Sequence, residues 1–391
     1  MEDRGLRIAD RVSRRSFSIL HLLSSSQCAE RYPMQSIAFL TGCLTLLLQG
    51  NYAQQPRIVN ANVQTRSAAG GLEREFRSLL SGQAEPAWLG YGAPMIPGEH
   101  NMCCYESAHC CSGCQLEGKQ SGGIQSGKGE RVRLEGPRYL FVLLRLEQKR
   151  VEKIRTFTED CELDAGGLPF FWLTDVRPSE SIALLSSFAT AAEGDAKEGR
   201  RLADSAVAAI AFHNDAAADR ALEGFIAATQ PESLRERASF WLGNARGRRG
   251  YEVLRRMLRE DPSPKVREKA VFALTQSREP EAVAAIIETA RNDASAHVRG
   301  QALFWLAQKA GAKAADAITD AIDRDPETEV KKKAVFALSQ LPADEGVPKL
   351  IQVARSNRNP EVRKQAIFWL GQSRDPRALA FFEEVLLRSP R

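Results

Sequence analysis

One phrase recurs five times without a slip. It reads Leu234-Arg235 followed by Phe240-Trp241-Leu242, then Val266-Arg267 followed by Phe272-Ala273-Leu274. It returns at Val298-Arg299, Val330-Lys331 and Val362-Arg363, each copy 32 residues after the last. A fixed period in this range marks a solenoid, in which each small unit covers its apolar face with its neighbours. The C-terminal half is therefore a stack of like units rather than one closed core.

Within a copy the spacing is helical. Starting from Val266 and turning about 100° per residue, Ala270, Ala273, Leu274 and Ser277 fall on one stripe. Val271 and Phe272 flank that stripe on opposite sides, as expected of a helix that packs on its partner and on both neighbouring repeats. A partner helix precedes it, with Tyr251, Leu254, Met257 and Leu258 in one copy and Val283, Ile286, Ile287 and Ala290 in the next. Asp261-Pro262 and Asp325-Pro326 punctuate the turn between them. Proline cannot continue the first helix, and an Asp or Ser caps the second. Leu202, Ala206 and Ile210 extend the register backwards, so about six helix pairs are predicted from Pro178 on. A last helix, Arg377 to Leu387, carries Glu383 and Glu384 and is expected to cap the stack.

These residues resemble the HEAT-repeat family, in its short bacterial HEAT-like form. The resemblance rests on Asp261/Val266/Arg267/Ala270/Leu274, Asp293/Val298/Arg299/Ala302/Leu306 and Asp325/Val330/Lys331/Ala334/Leu338, and covers about residues 200–391. The first copy has Thr229 and the last Asn357 in place of the Asp. The resemblance implies an all-α solenoid, a ladder of Asp and basic residues between repeats, and a role in binding other macromolecules.

The rest of the chain divides into three. Residues 1–53 read as a leader, with the apolar run Ile37 to Leu48 as the core of a signal peptide and cleavage after Ala53. Met34 is an alternative start, and Leu40-Thr41-Gly42-Cys43 and Ser13-Arg14-Arg15-Ser16-Phe17 resemble a lipoprotein box and a twin-arginine signal. The expectation is an exported protein, periplasmic or extracellular, with no membrane span in the mature chain. Residues 54–81 read as a linker with a short helix around Leu72, Phe76, Leu79 and Leu80.

Residues 82–175 form a small β-rich module with the cysteines. Tyr139 to Leu146 and Val151 to Thr158 are predicted to pair as a hairpin across Glu147–Arg150. Cys103, Cys104, Cys110, Cys111, Cys114 and Cys161 are an even set, expected to form disulfides in an exported chain. The alternative is a metal site drawn from His100, Cys103, His109, Cys111 and Cys114, since Cys111-x-x-Cys114 has ligand spacing. Gly122 to Lys128 matches a phosphate-binding loop, but Gly129 replaces the magnesium-binding hydroxyl, and neither a strand nor a helix frames it.

No catalytic set stands out: HExxH and GxSxG are missing, and the five histidines are scattered. A formal net charge of +5 on 391 residues argues against a dedicated nucleic-acid binder. Three columns recur along the repeats. The basic column (Arg235, Arg267, Arg299, Lys331, Arg363) is expected to pair with the Asp residues. The alternating column (Trp241, Ala273, Trp305, Ala337, Trp369) is expected to fill the core, large beside small. The amide column, Asn244, Gln276, Gln308, Gln340 and Gln372, stands near each helix end. Amides there can bond the last helix carbonyls or the backbone of an extended peptide. It is the expected partner-binding surface, with Glu268, Lys332 and Lys364 nearby. The expected function is a non-enzymatic scaffold for a protein or peptide, with no catalytic residue and no cofactor. The alternatives are a metal- or thiol-dependent enzyme or redox protein working through the cysteine module, and a HEAT-like nucleic-acid binder.

Overall fold

The computed structural model describes residues 55–98, 100, 102, 114–117, 137–159, 161–191 and 197–388. The leader, the Gly122–Lys128 motif, His109, Cys103, Cys104, Cys110 and Cys111 lie outside the described residues.

The N-terminal module is a mixed sheet with helices on one face. Its elements are β1 (Ile58–Val59), β2 (Asn62–Ser67), α1 (Leu72–Gly82), β3 (Ala87–Pro94), β4 (Cys114–Gln115), β5 (Tyr139–Glu147), β6 (Arg150–Thr158), β7 (Leu163–Asp164) and β8 (Pro169–Thr174). The five-stranded sheet runs β2-β8-β3-β5-β6. β2, β8 and β3 are parallel, whereas β3, β5 and β6 are antiparallel. The predicted hairpin is present, and its two turn residues, Gln148 and Lys149, are both left-handed at φ 50° and 58°. Two such residues give the turn that matches the strands' own twist.

The segment expected as a linker is more than that. Its helix forms and buries Leu72, Phe76 and Leu79, but Asn62–Ser67 is the edge strand paired with β8. The run is polar and mostly exposed, so it has no apolar alternation to read. β8, Pro-Phe-Phe-Trp-Leu-Thr, is the inserted central strand and is buried on both faces. One face of the sheet (Leu89, Tyr91, Val142, Leu144, Leu173) joins the helical core. The other (Trp88, Phe141, Leu143, Phe157, Phe170, Trp172) forms a second core with Leu116, Cys161, Leu163 and Ala165, residues in and beside the small β1-β7-β4 sheet.

The solenoid follows without a break in packing. Its pairs are α2 (Pro178–Thr190) with α3 (Lys197–Phe212), α4 (Ala216–Phe225) with α5 (Glu232–Ala245), and α6 (Gly247–Glu260) with α7 (Pro264–Gln276). α8 (Ala282–Asn292) pairs with α9 (Ala296–Ala310), α10 (Ala315–Arg324) with α11 (Thr328–Ser339), and α12 (Ala343–Ser356) with α13 (Pro360–Gln372); α14 (Pro376–Arg388) ends the stack. The phrase helices α5, α7, α9, α11 and α13 pack closely on one another, while the first helices of successive repeats touch far less. The array therefore curves with the phrase helices on its inner side. At the sheet, the Ile96 amide donates to the Phe212 carbonyl at 2.9 Å and the Asn214 amide to the Pro94 carbonyl at 2.8 Å.

The turns before α7 and α9 are built as the sequence implies, with one refinement, whereas α11, which follows Asp325-Pro326, starts after Glu327 without a side-chain cap. Asp261 accepts from the Ser263 amide at 2.9 Å, and Ser263 itself caps α7 by accepting from the Val266 amide. Ser295 caps α9 in the same way. The Asp is left to face the repeat before it. Arg235 meets Asp261 at 3.0 Å, Arg267 meets Asp293 at 2.8 Å and Arg299 meets Asp325 at 2.7 Å, all largely buried. Each Arg thus reaches forward to the next repeat, and Arg267 and Arg299 also hold the carbonyl of the Asp in their own repeat. The ladder stops where its acid does: Asn357 replaces the Asp that Lys331 would meet, and Lys331 bonds the Asp323 carbonyl instead.

The last helix is not a polar cap. Leu379, Val385, Leu386 and Leu387 are exposed on it, and Ile367 and Phe368 beside it on α13. Glu384 is turned back into an ion pair with Arg355, so its charge does not cover that end.

Candidate functional site

The inner side of the stack carries a continuous aromatic ladder. Phe240 stacks on Phe272 with centroids 6.1 Å apart, and Phe304 on Phe336 at 5.9 Å and 3°. Trp305 bridges between them, 4.7 Å from Phe272 and 4.9 Å from Phe304, and Trp369 repeats the bridge at 4.9 Å from Phe336. The Trp/Ala alternation explains the geometry. Ala273 and Ala337 are fully buried and small, and the phrase helix that follows each of them carries Trp305 or Trp369, which leans back onto the Phe of the repeat before. Trp241 is nearly buried, as the core reading expects, while Trp305 and Trp369 are half-buried. The Phe column is half-buried from Phe240 to Phe336, and Phe368 is 52% exposed. Its expected place against the neighbouring repeats is thus only half right: Val271 goes fully inside, and Phe272 keeps an edge in water.

The amide column lies one helical turn beyond the Phe column. Phe272 and Gln276 are four residues apart, so they share a face, and each copy repeats the pair. Asn244, Gln276, Gln308, Gln340 and Gln372 are all exposed. Gln276 donates to the Thr275 hydroxyl at 2.8 Å and Gln340 to the Ser339 hydroxyl at 3.1 Å, rather than to helix carbonyls. Those carbonyls are served from the next repeat. Lys309 donates to the carbonyls of Thr275 and Ser277 at 2.8 and 2.7 Å, and Arg246 to those of Ala211 and His213 at 3.1 and 2.9 Å. Burial pushes the Lys309 ammonium down from its ordinary value. Sequence reasoning missed both caps, because neither residue stands in a regular column.

Four residues before each Phe stands a third line: Glu236, Glu268, Gly300, Lys332 and Lys364. Its sign changes along the stack. Glu236 pairs with Lys265 at 2.8 Å and Glu268 with His297 at 2.9 Å. Lys332 pairs with Glu329 at 3.0 Å, and Lys364 is exposed.

Of the proposed metal set, the structure places only His100 in full. It is half-buried, edge-on to Phe212 at 5.4 Å, and burial lowers its pKa. Cys114 is in β4 beside β7. Among the described residues no group of three or more His, Cys, Asp and Glu is placed to hold a metal. Cys161 is buried in the second core of the module, its sulfur 3.5 Å from the Met102 carbonyl.

A polar chain that the sequence did not announce joins sheet to solenoid. Tyr91 on β3, Ser181 on α2 and His213 just after α3 are all fully buried. His213 Nδ1 lies 2.8 Å from the Ala209 carbonyl, which can only accept, so Nδ1 carries the proton. Nε2, 2.8 Å from Ser181 Oγ, then accepts the serine proton, and the Tyr91 hydroxyl, 2.9 Å from Ser181 Oγ, donates to it. Burial pushes His213 down to about 4 and the Tyr91 phenol well above its usual value. Every donor in this chain finds its acceptor within the protein, which is the arrangement of a structural tie.

The HEAT-repeat family model matches residues 220–307 and 314–391. Among solved structures, human deoxyhypusine hydroxylase in complex with glycerol is 15% identical, with 55% of this chain and 92% of that one covered and a TM-score of 0.28. The CpcE–CpcF complex of phycocyanin lyase from Nostoc is 20% identical, covering 50% and 77%, with a TM-score of 0.28. A designed armadillo repeat protein is 19% identical, covering 48% and 82%, with a TM-score of 0.18. No curated protein matches the chain.

Proposed function

We propose that this solenoid, built of HEAT repeats from residue 220 on, is an exported binding scaffold that holds an extended peptide segment of a partner protein along its inner side. The observation that carries the reading is the pairing of an exposed amide with a half-exposed aromatic ring in every copy, five times in register. Amides supply a donor and an acceptor to a peptide backbone, and the stacked rings supply flat apolar contact at low entropic cost. The changing sign of the third line gives the bound peptide a direction. Its basic end lies towards Glu236 and Glu268, and its acidic end towards Lys332 and Lys364. Those ends are about three repeats apart, roughly 30 Å at the usual helix spacing of about 10 Å, or about nine extended residues.

Export is supported by the apolar run Ile37 to Leu48 and by the even set of six cysteines after it, Cys161 among them, which suits disulfides formed in an oxidising compartment. The remaining cysteines, Cys103, Cys104, Cys110, Cys111 and Cys114, then complete the bracing of the module. Among the described residues no helix is long and apolar enough to cross a membrane.

The test has three parts. Peptides selected from a random library against the intact protein should share a basic-to-acidic polarity, and reversing that order should abolish binding. Replacing Gln276, Gln308 and Gln340 together by Ala should weaken capture while leaving the helical signal unchanged; a variant that selects the same peptides with the same affinity removes the groove from consideration. Intact mass of the mature chain, alkylated without reductant, should show a start near Gln54 and no added groups. A retained leader or alkylated cysteines would contradict export.

A further inference from the structure

A cavity of about 420 Å³ lies between the edge strand β6 and helices α3 and α5. It falls outside the amide column and uses only the first rungs of the aromatic ladder. Its walls are Ile154 and Phe157 on β6, Ala208 on α3, and Phe240 and Trp241 on α5. The volume is in the range of small-ligand pockets, about 300–1,000 Å³.

Five polar residues also line the cavity, Arg155, Thr156, Asp204, Ser205 and Arg237, and three of them can turn to a ligand. Thr156 is only 9% exposed and lines the cavity, yet its hydroxyl has no hydrogen-bond partner among the described residues. The Ser205 hydroxyl, opposite on α3, has none either. Arg237 on α5 is paired with Asp204, but the two sides of that pair differ: the Arg side chain is 15% exposed and the Asp side chain 60%. Holding so exposed a carboxylate gains little, so a ligand carboxylate seated beside the guanidinium displaces it at small cost. A hydroxyl that opens into a pocket and has no protein partner is a group that a ligand can satisfy.

We propose that this cavity is a binding site for a small carboxylic acid with an apolar, ring-sized body. The body lies among Ile154, Phe240 and Trp241. The carboxylate accepts from Arg237 and from the Thr156 and Ser205 hydroxyls, in place of Asp204. The same chemistry is met by a free arylalkanoate and by the carboxyl end of a chain that finishes in Phe. This site shares only Phe240 with the groove reading and uses none of its amides.

The test is calorimetry on the intact protein with 6-phenylhexanoate and its neutral amide. One-to-one binding of the acid is expected, at least tenfold tighter than the amide, as befits a charge-assisted bond. Arg237→Met and Ala208→Phe should each weaken the acid about tenfold or more, and Asp204→Asn should tighten it by removing the internal competitor. A purely structural Arg237–Asp204 pair predicts no gain from Asp204→Asn. Arg237→Met changes a partly exposed pair, so it remains informative even where Ala208→Phe fails to fold. Gln276, Gln308 and Gln340 changed to Ala should leave the acid unaffected, which separates this site from the groove. A peptide ending in Phe that binds tighter than the free acid assigns the carboxylate to a partner's chain end; weaker binding assigns it to a free acid. No saturation at about 10 mM acid, equal affinity for acid and amide, or indifference to Ala208→Phe overturns the proposal.

Discussion

Lowering the pH should open the seam between the sheet and the solenoid, and His213 sets where. In the folded protein its imidazole is neutral because burial drives its pKa to about 4 from an ordinary 6.5. The Asp215 carboxylate pulls the value up, and the Arg246 guanidinium pushes it down. Unfolding releases the ring to water, where it takes up a proton at any pH below its ordinary value. Between the two values the unfolded state binds more protons, so stability rises with pH there. The contribution is present in full above about pH 6.5 and is lost as the pH falls towards 4. Integrated over that window it is about 3 kcal/mol, at about 1.4 kcal/mol per unit; about 2 kcal/mol of it is lost between pH 7 and 5. The seam also loses a bond, because a doubly protonated ring cannot accept from Ser181. A solenoid need not unfold as one unit, so the measurement must be local. Amide hydrogen exchange in peptides covering β3, α2 and the end of α3 reads the opening free energy of this seam. The native protein should lose about 2 kcal/mol there between pH 7 and 5, beyond any change in α9 to α13. His213→Gln, which can still accept from Ser181 and donate to Ala209, should lack that extra loss. Equal pH dependence in the two proteins would refute the argument.

Other outcomes follow from the same contacts. Asp293→Ala leaves Arg267 buried without its acid and should cost about 3–5 kcal/mol in local opening of α7 and α9; Lys331→Ala, where the ladder has already lapsed, should cost under about 1 kcal/mol. Gln148-Lys149→Asn-Gly supplies the residues that a left-handed two-residue turn prefers and should raise the stability of the hairpin by about 1 kcal/mol, read by exchange at β5 and β6. Gly243→Ala puts a methyl 2.1 Å from the Ala273 carbonyl oxygen, where α5 crosses α7. It should lower the melting temperature, with a penalty of about 1–3 kcal/mol; an unchanged melting temperature would show that the two helices can separate freely.

The repeats were legible because each carries its instructions locally. Val, Ala and Leu mark the stripe, Asp-Pro marks the turn, and the register repeats without a slip, so the six pairs from Pro178 and the last helix fall where the sequence puts them. The module was legible only where its strands are apolar, as in Tyr139 to Thr158. β2 escaped because an edge strand facing water is polar on both sides, and β8 because a run of Phe-Phe-Trp-Leu buried on both faces has no alternation. The tie from Tyr91 through Ser181 to His213 joins residues 90 and 32 positions apart, and nothing in a linear pattern brings them together. The cavity escaped for the same reason: β6 and α5 meet only in the fold.

The choice of groove can be argued by removing what the fold itself uses. In each copy the Val, Ala and Leu of the phrase are buried to zero or nearly so. The Arg of the first three copies is spent on the Asp of the next repeat, and Lys331 and Arg363 on backbone carbonyls of their own turns. The last carbonyls of α3 and α7 are served by Arg246 and Lys309. Helix starts are closed by Ser263, Ser295 and Asn359. What remains without a packing task, and yet recurs in register, is the amide column and the outer edge of the Phe column. A stack needs neither for stability: an exposed Gln contributes little, and a half-exposed Phe leaves apolar surface in water that a smaller residue would not. Their recurrence is therefore best explained by what lies on top of them. Should Phe272→Ser and Phe304→Ser, together, destabilise the stack by as much as a buried Leu→Ala change (about 3–5 kcal/mol), the rings belong to the core and the groove loses its apolar floor. A loss near 1 kcal/mol with binding abolished places them in the contact surface.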